Sequence, residues 1–222
     1  MNEGAFQLAR IIRRLKARVS TEELGGETVE QLVRRWSRLR SPELNIEVRE
    51  YDPHWPAAFD AEKHRLQGAL KDLGLVDIQH IGSTSIAPLP SKNIIDLAVA
   101  VQSLPCSAQQ TEALLGLGYQ AYGPSPIDPD FSWFWRIEAE GQGAFVVHVC
   151  GAQSPWFSHL IHFRDFMRAF PEERQQYEAL KRELAQAPDQ SWLEYSIVKR
   201  ALALRITERA NAWAEKAAPQ LS

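Results

Sequence analysis

The segment that most constrains this chain is His80-Ile81-Gly82-Ser83-Thr84-Ser85, which closes one strand-like run and is followed, after a turn-rich gap, by Ile94-Ile95-Asp96-Leu97-Ala98-Val99. Gly82 can take positive φ or let a ligand approach the backbone, so the chain can leave a strand, turn on small residues and enter a second strand. Consecutive N–H groups and the hydroxyls of Ser83, Thr84 and Ser85 can donate to the oxygens of an anion, which is phosphate chemistry in outline. Asp96 stands in apolar company, where an unpaired charge is costly, so it is expected at a strand end, paired or on a metal. The same residues also describe an ordinary serine-rich turn followed by a strand-edge Asp, and on the turn alone both readings stay open.

More of the chain joins this pattern. The run Val48-x-x-Tyr51-Asp52-Pro53-x-Trp55-Pro56 precedes it; Phe163-Arg164-Asp165-Phe166-Met167-Arg168-x-x-Pro171, Tyr177-x-x-Leu180-Lys181 and Tyr195-x-x-x-Lys199 follow it. Taken together and in this order, these motifs resemble the GrpB family, a branch of the nucleotidyltransferase superfamily, over about residues 46–210. The resemblance implies a nucleotidyltransferase-like mixed β-sheet with a C-terminal helical cap. It also implies a nucleoside triphosphate or related phosphorylated small molecule as ligand, Mg²⁺ or Mn²⁺ as cofactor and Asp96 as the catalytic carboxylate.

Nucleotidyl transfer attacks the α-phosphorus of a triphosphate, so metal ions must be held against several phosphate oxygens. Two carboxylates two residues apart on a strand share one face and can share the metals, which explains the Asp-x-Asp usual in the superfamily. Here twelve residues lie between Ser83 and Asp96, a spacing that fits the signature, but the second carboxylate position is Ala98. His148, on the expected strand Ala144–Val149, is the candidate second metal ligand beside Asp96, although imidazole suits zinc or manganese better than magnesium. The phosphate-binding set is Gly82, Ser83, Thr84, Ser85, Lys92, Arg164, Lys181 and Lys199, with Asp165 placed to orient the Arg164 guanidinium. Trp133, Trp135 and Trp156 are candidates for stacking a base, against the commoner use of tryptophan in a core. Two functions stay open: a metal-dependent nucleotidyltransferase, or a catalytically silent anion-binding or nucleotide-binding module of the kind attached to dephospho-coenzyme A kinase. No Gly-x-x-x-x-Gly-Lys occurs in the chain, so the kinase itself is absent.

Composition bounds the rest. With 222 residues, 45% apolar and 24% charged, the chain has room for one main domain and an appendage. No run is long and apolar enough for a membrane span, and two distant cysteines exclude a disulfide framework, so a reducing cytoplasm is the expected address. The net charge of -3 conceals an asymmetry: residues 1–40 hold nine Lys and Arg against five Glu. That basic segment reads as a helical hairpin, residues 1–45, broken at Gly25-Gly26 and ended at Ser41-Pro42. Without interleaved aromatics a nucleic-acid partner is not expected; packing on its own body or on a second copy, as a homodimer, is. The body, residues 46–216, is α+β. A helix running on from Pro56 ends at Gly74, and strands are expected near 77–81, 93–101, 119–122, 131–138 and 144–150. Further helices are expected near 107–117, 155–169, 171–186 and 191–216, the last opening on the capping box Ser191-x-x-Glu194. The loop 123–130 is either a cleft wall or a rigid surface loop.

Overall fold

The structure is a computed structural model that describes residues 3–37, 47–124, 131–138, 143–187 and 191–217. Among these residues the order is α1 (Glu3–Lys16), α2 (Val29–Trp36), α3 (Trp55–Leu70), β1 (Leu75–Ile81), a 3₁₀ turn (Ser83–Ser85) and β2 (Ile94–Val101). Then come α4 (Ala108–Gly116), β3 (Gln120–Pro124), β4 (Ser132–Ile137), β5 (Ala144–Gly151), α5 (Pro155–Ala169), α6 (Pro171–Gln186) and α7 (Trp192–Ala217). The fold is α+β, as the sequence implies. Most of the proline-rich loop 123–130 lies outside the described residues. Among the described residues no helix is long and apolar enough to cross a membrane.

Two compact units divide the chain: Glu47–Phe170, and Met1–Ile46 together with Pro171–Ser222. The first is built on a five-stranded sheet in the order β1-β2-β5-β4-β3. β2 and β5 run parallel at its centre, and the other pairings are antiparallel. Strand alternation sends Ile95, Leu97 and Val99 of β2, and Phe145, Val147 and Val149 of β5, into one core with Trp55, Phe59, Leu66 and Leu70 of α3. Each such side chain contributes roughly 1.5–3 kcal/mol by leaving water. α3 starts where Pro56 fits its first turn, and it stops at Leu70, four residues before Gly74 takes φ 76°. Its first residue also fixes the loop ahead of β2, since Trp55 Nε1 donates to Asn93 Oδ1 at 2.7 Å and the backbone of Arg49 pairs with that of Ser91. This explains why an aromatic motif stands so far upstream of the glycine turn.

The second unit gathers α1, α2, α6 and α7 around Ile11, Leu15, Leu32, Val33, Leu184 and Ile197. The basic hairpin thus packs on the C-terminal helices, and its arginines meet acids there. Arg14 forks onto Glu194 at 2.6 and 2.7 Å, Arg18 reaches Glu183, and Arg200 joins Arg35 on Glu27. Glu194 completes the capping box as well, accepting from the Ser191 N–H at 3.2 Å.

Candidate functional site

The face of the sheet opposite α3 carries Asp96 and His148. One row across it runs Gln79 (β1), Ala98 (β2), His148 (β5) and Trp133 (β4), because Ala98 pairs with both Gln79 and His148, and His148 with Trp133. Asp96 lies two residues along β2 on the same face, opposite Ile81. Its Oδ1 is 3.0 Å from His148 Nε2, so carboxylate and imidazole meet across the parallel pair. Their side chains keep 27% and 13% of their exposure, enough for a ligand to reach them.

Gly82 is the hinge of this arrangement. It adopts φ 69° and ψ -174°, a region that residues with a Cβ essentially do not occupy. A Cβ built there would lie 2.9 Å from both Cβ and Cγ of Asp96, and nearer still to Oδ2. The glycine is therefore required twice, by the turn and by the carboxylate that fills the space beside it.

The turn residues divide their labour in a way the sequence does not reveal. Thr84 is wholly buried, and its hydroxyl donates to Ile94 O at 3.0 Å. Having spent its proton, it accepts from His80 Nε2 at 3.1 Å, which assigns the proton of His80 to Nε2. His80 stacks on Phe59 with ring centroids 4.6 Å apart, on the core side of the sheet. Burial there pushes its pKa down from 6.5 to about 4. The Ser85 hydroxyl donates to Gly82 O at 2.6 Å, and the N–H groups of Ser85 and Ile86 close the turn on Gly82 O and Ser83 O. Thr84 and Ser85 thus brace the turn, each with its hydroxyl proton on a backbone carbonyl. Ser83 is the remaining candidate: it is half-buried, and among the described residues neither its hydroxyl nor its N–H meets an acceptor.

α5 holds the turn from both ends. Arg164 donates through one terminal nitrogen to Gln79 Oε1 and His80 O, each at 3.0 Å, while its Nε and other terminal nitrogen grip Asp165 at 2.7 and 3.1 Å. One turn later Arg168 donates to Ser85 O at 3.0 and 2.6 Å. The expected orientation by Asp165 is present, but the Arg164 guanidinium spends nearly all its donors on the protein and keeps 12% of its exposure. It is a clamp on the strand end before Gly82, not a ready phosphate ligand, because a fork occupied by a carboxylate and two carbonyl oxygens has little left to give. Arg168 stands one turn after Arg164 in the same sequence motif, the spacing that puts both on one helix face.

Lys92 is half-buried in the loop before β2, its carbonyl accepting from Ile94 N at 2.8 Å. Lys181 and Lys199 belong to the other unit. Lys181 is buried with Nζ 5.6 Å from the Tyr177 ring, and Lys199 Nζ lies 5.6 Å from that of Tyr195. In sequence, Asp128, Asp130 and Glu138 are the acids that could stand in for the carboxylate missing at Ala98; Glu138 is committed to Arg136, which also bonds the buried Glu62 at 2.7 Å on the α3 side of the sheet. Asp128 and Asp130 lie outside the described residues.

The fit of a divalent ion follows from one distance. Two ligands about 2.1 Å from a cation and at right angles lie about 3.0 Å apart, the separation found between Asp96 Oδ1 and His148 Nε2. The pair therefore suits either a direct hydrogen bond or two adjacent positions on one ion. Among the described residues no third His, Cys, Asp or Glu joins them. Ala98 is fully buried between Gln79 and His148 and offers no ligand.

Comparison with known proteins adds an outside measure. Residues 45–209 match the family described as GrpB protein. A UPF0157 protein of Halalkalibacterium halodurans is 32% identical over 175 residues, covering 78% of this chain and 87% of its own length. The crystal structure of conserved protein GrpB from Enterococcus faecalis aligns with a TM-score of 0.63 at 27% identity, over 75% of this chain and 99% of that one. A Mycolicibacterium paratuberculosis protein named dephospho-CoA kinase is 28% identical over 74% of this chain and 46% of its own length.

Proposed function

The chain belongs to the GrpB family, and we propose that its Gly82 turn, Asp96 and His148 bind the phosphate end of a nucleoside triphosphate or related phosphorylated ligand together with one divalent cation. The observation that carries this reading is the packing of the Asp96 carboxylate into the space beside Gly82 Cα. It brings an anion-accepting turn and a cation-accepting carboxylate within contact of each other, which is what a metal–phosphate complex needs and a surface turn does not. Ser83 donates its N–H and hydroxyl to a phosphate oxygen. Asp96 and His148 hold the cation, and their mixed oxygen and nitrogen donors favour Mn²⁺ over Mg²⁺. A cation held there supplies positive charge to the phosphate oxygens. Arg164 and Arg168 act as positioning residues by fixing the carbonyls on either side of the turn.

With Ala98 in place of a second carboxylate, two-metal nucleotidyl transfer is expected to be weak or absent. The family match to part of a protein named dephospho-CoA kinase favours a second reading, an accessory module that binds the ligand without transforming it. Calorimetric titration separates these possibilities. ATP should bind more tightly with Mn²⁺ than without, and Asp96→Asn should remove the gain. Equal ATP affinity with and without metal in both proteins counts against the metal site. Transfer of a labelled nucleotide at about 1 per second or faster, abolished by Asp96→Asn, counts against the silent module.

A further inference from the structure

We propose that the aromatic residues around His148 form a subsite for the base of a nucleotide, with Trp156 as its stacking platform; this rests on the phosphate reading above and names the other end of the ligand. His148 is ringed on the side away from the turn. Its ring centroid lies 5.5 Å from that of Phe131 and 5.5 Å from that of Trp133, the latter edge-on at 81°. Phe131 leads on to Trp156 at the start of α5, centroids 6.4 Å apart and planes within 30°. Trp156 in turn meets His159 at 6.0 Å.

The contrast with Trp55 shows what is unusual. Trp55 is 3% exposed and spends its indole N–H on Asn93, as a tryptophan in a core normally does. Trp133 and Trp156 are half-buried. Aromatic faces left partly in water beside a polar pair suit a planar heterocycle, which offers both a π-face and edge acceptors.

Distance selects the occupant. The anion turn follows β1, and Trp133 is on β4, three strands away in the order β1-β2-β5-β4, which is about 14 Å across the strands at the usual spacing. An extended nucleoside triphosphate spans that interval with its phosphates at Ser83 and its base against Trp156 and Trp133, whereas a free phosphate or a short phosphorylated metabolite does not.

The test compares ligands that differ only in the ring. The full chain is titrated with ATP, GTP, CTP and UTP, and with inorganic tripolyphosphate, each with Mn²⁺. At least one nucleotide should bind about fivefold or more tightly than tripolyphosphate. Trp156→Ala should erase that advantage without changing tripolyphosphate affinity, and Trp156→Phe should keep most of it. Three outcomes overturn the subsite while leaving the phosphate reading intact: no nucleotide exceeds tripolyphosphate; the advantage survives Trp156→Ala; or Trp156→Ala weakens tripolyphosphate equally. Failure of every ligand, tripolyphosphate included, removes the phosphate reading and the subsite with it.

Discussion

Gly82→Ala tests the construction of the site most directly. The backbone at φ 69° and ψ -174° is essentially reserved for glycine, and forcing another residue into it costs about 1–3 kcal/mol. The new Cβ also stands 2.9 Å from Asp96 Cβ and Cγ, so the carboxylate has to swing away and give up its 3.0 Å contact with His148. A hydrogen bond to a charged group contributes about 1.5–3 kcal/mol. Because Asp96 keeps 27% of its exposure, water recovers part of that loss, and the combined cost is roughly 3–4 kcal/mol. Gly26→Ala is the control: Gly26 has φ 89° and nothing within 4 Å of an added Cβ, so it isolates backbone strain at about 1–2 kcal/mol. Urea unfolding with linear extrapolation reads both. Gly82→Ala should lose at least about 1 kcal/mol more than Gly26→Ala, and the excess should shrink in an Asp96→Gly background, which vacates the space. Equal losses, or additivity with Asp96→Gly to within about 0.5 kcal/mol, would refute the steric argument.

Three further outcomes are expected. Burial is the main reason the His80 pKa falls from 6.5 to about 4, with the Asp96 charge opposing it. The unfolded chain therefore takes up a proton that the folded one refuses; stability is full above pH 6.5 and declines as pH falls towards 4, by up to about 3 kcal/mol. His80→Gln should flatten urea-derived stability across that window, and an unchanged slope counts against the assignment. Arg14→Ala strands the buried Glu194 carboxylate and should cost about 2–4 kcal/mol, with Arg14→Lys recovering only part because an ammonium cannot match the two-point fork; a thermal melt within about 0.5 kcal/mol of wild type shows that water already screens the pair. Arg164→Ala should speed amide exchange at Ser83–Ile86 and weaken Mn²⁺–ATP binding more than Arg164→Lys does; equal exchange and affinity in all three proteins reject the clamp.

Much of this arrangement is legible in the chain itself, for a physical reason. Period-two alternation in Ile94–Val99 and Ala144–Val149 fixes which residues share a face, so Asp96 and His148 can be paired before any coordinates are known. Gly82 marks its own turn. What sequence cannot carry is the choice a hydroxyl makes between ligand and backbone: Thr84 and Ser85 look as available as Ser83, and only the positions of Ile94 O and Gly82 O turn them inward. Arg164 misleads in the same way, since its Asp165 neighbour is visible and the carbonyl of His80 is not. Glu62 carries a signal of its own in the sequence. It falls between Phe59 and Leu66 on the apolar side of α3, where an acid demands partners, and it finds them in Arg65, Arg136 and the Tyr119 hydroxyl.

The division of the chain has a consequence for its synthesis. The hairpin leaves the ribosome ahead of the sheet unit, yet the helices that complete its core, α6 and α7, follow that unit. Between them the Glu47–Phe170 unit is one unbroken stretch of about 120 residues, which at 5–20 residues per second holds the hairpin waiting for roughly 6–25 s. The sheet unit can close before α6 and α7 emerge, whereas the helical unit cannot. Nascent chains stalled once Phe170 has cleared the exit tunnel should therefore resist protease across the sheet and be cut within the hairpin. Protection of the hairpin at that stage would mean that it finds another surface on which to wait.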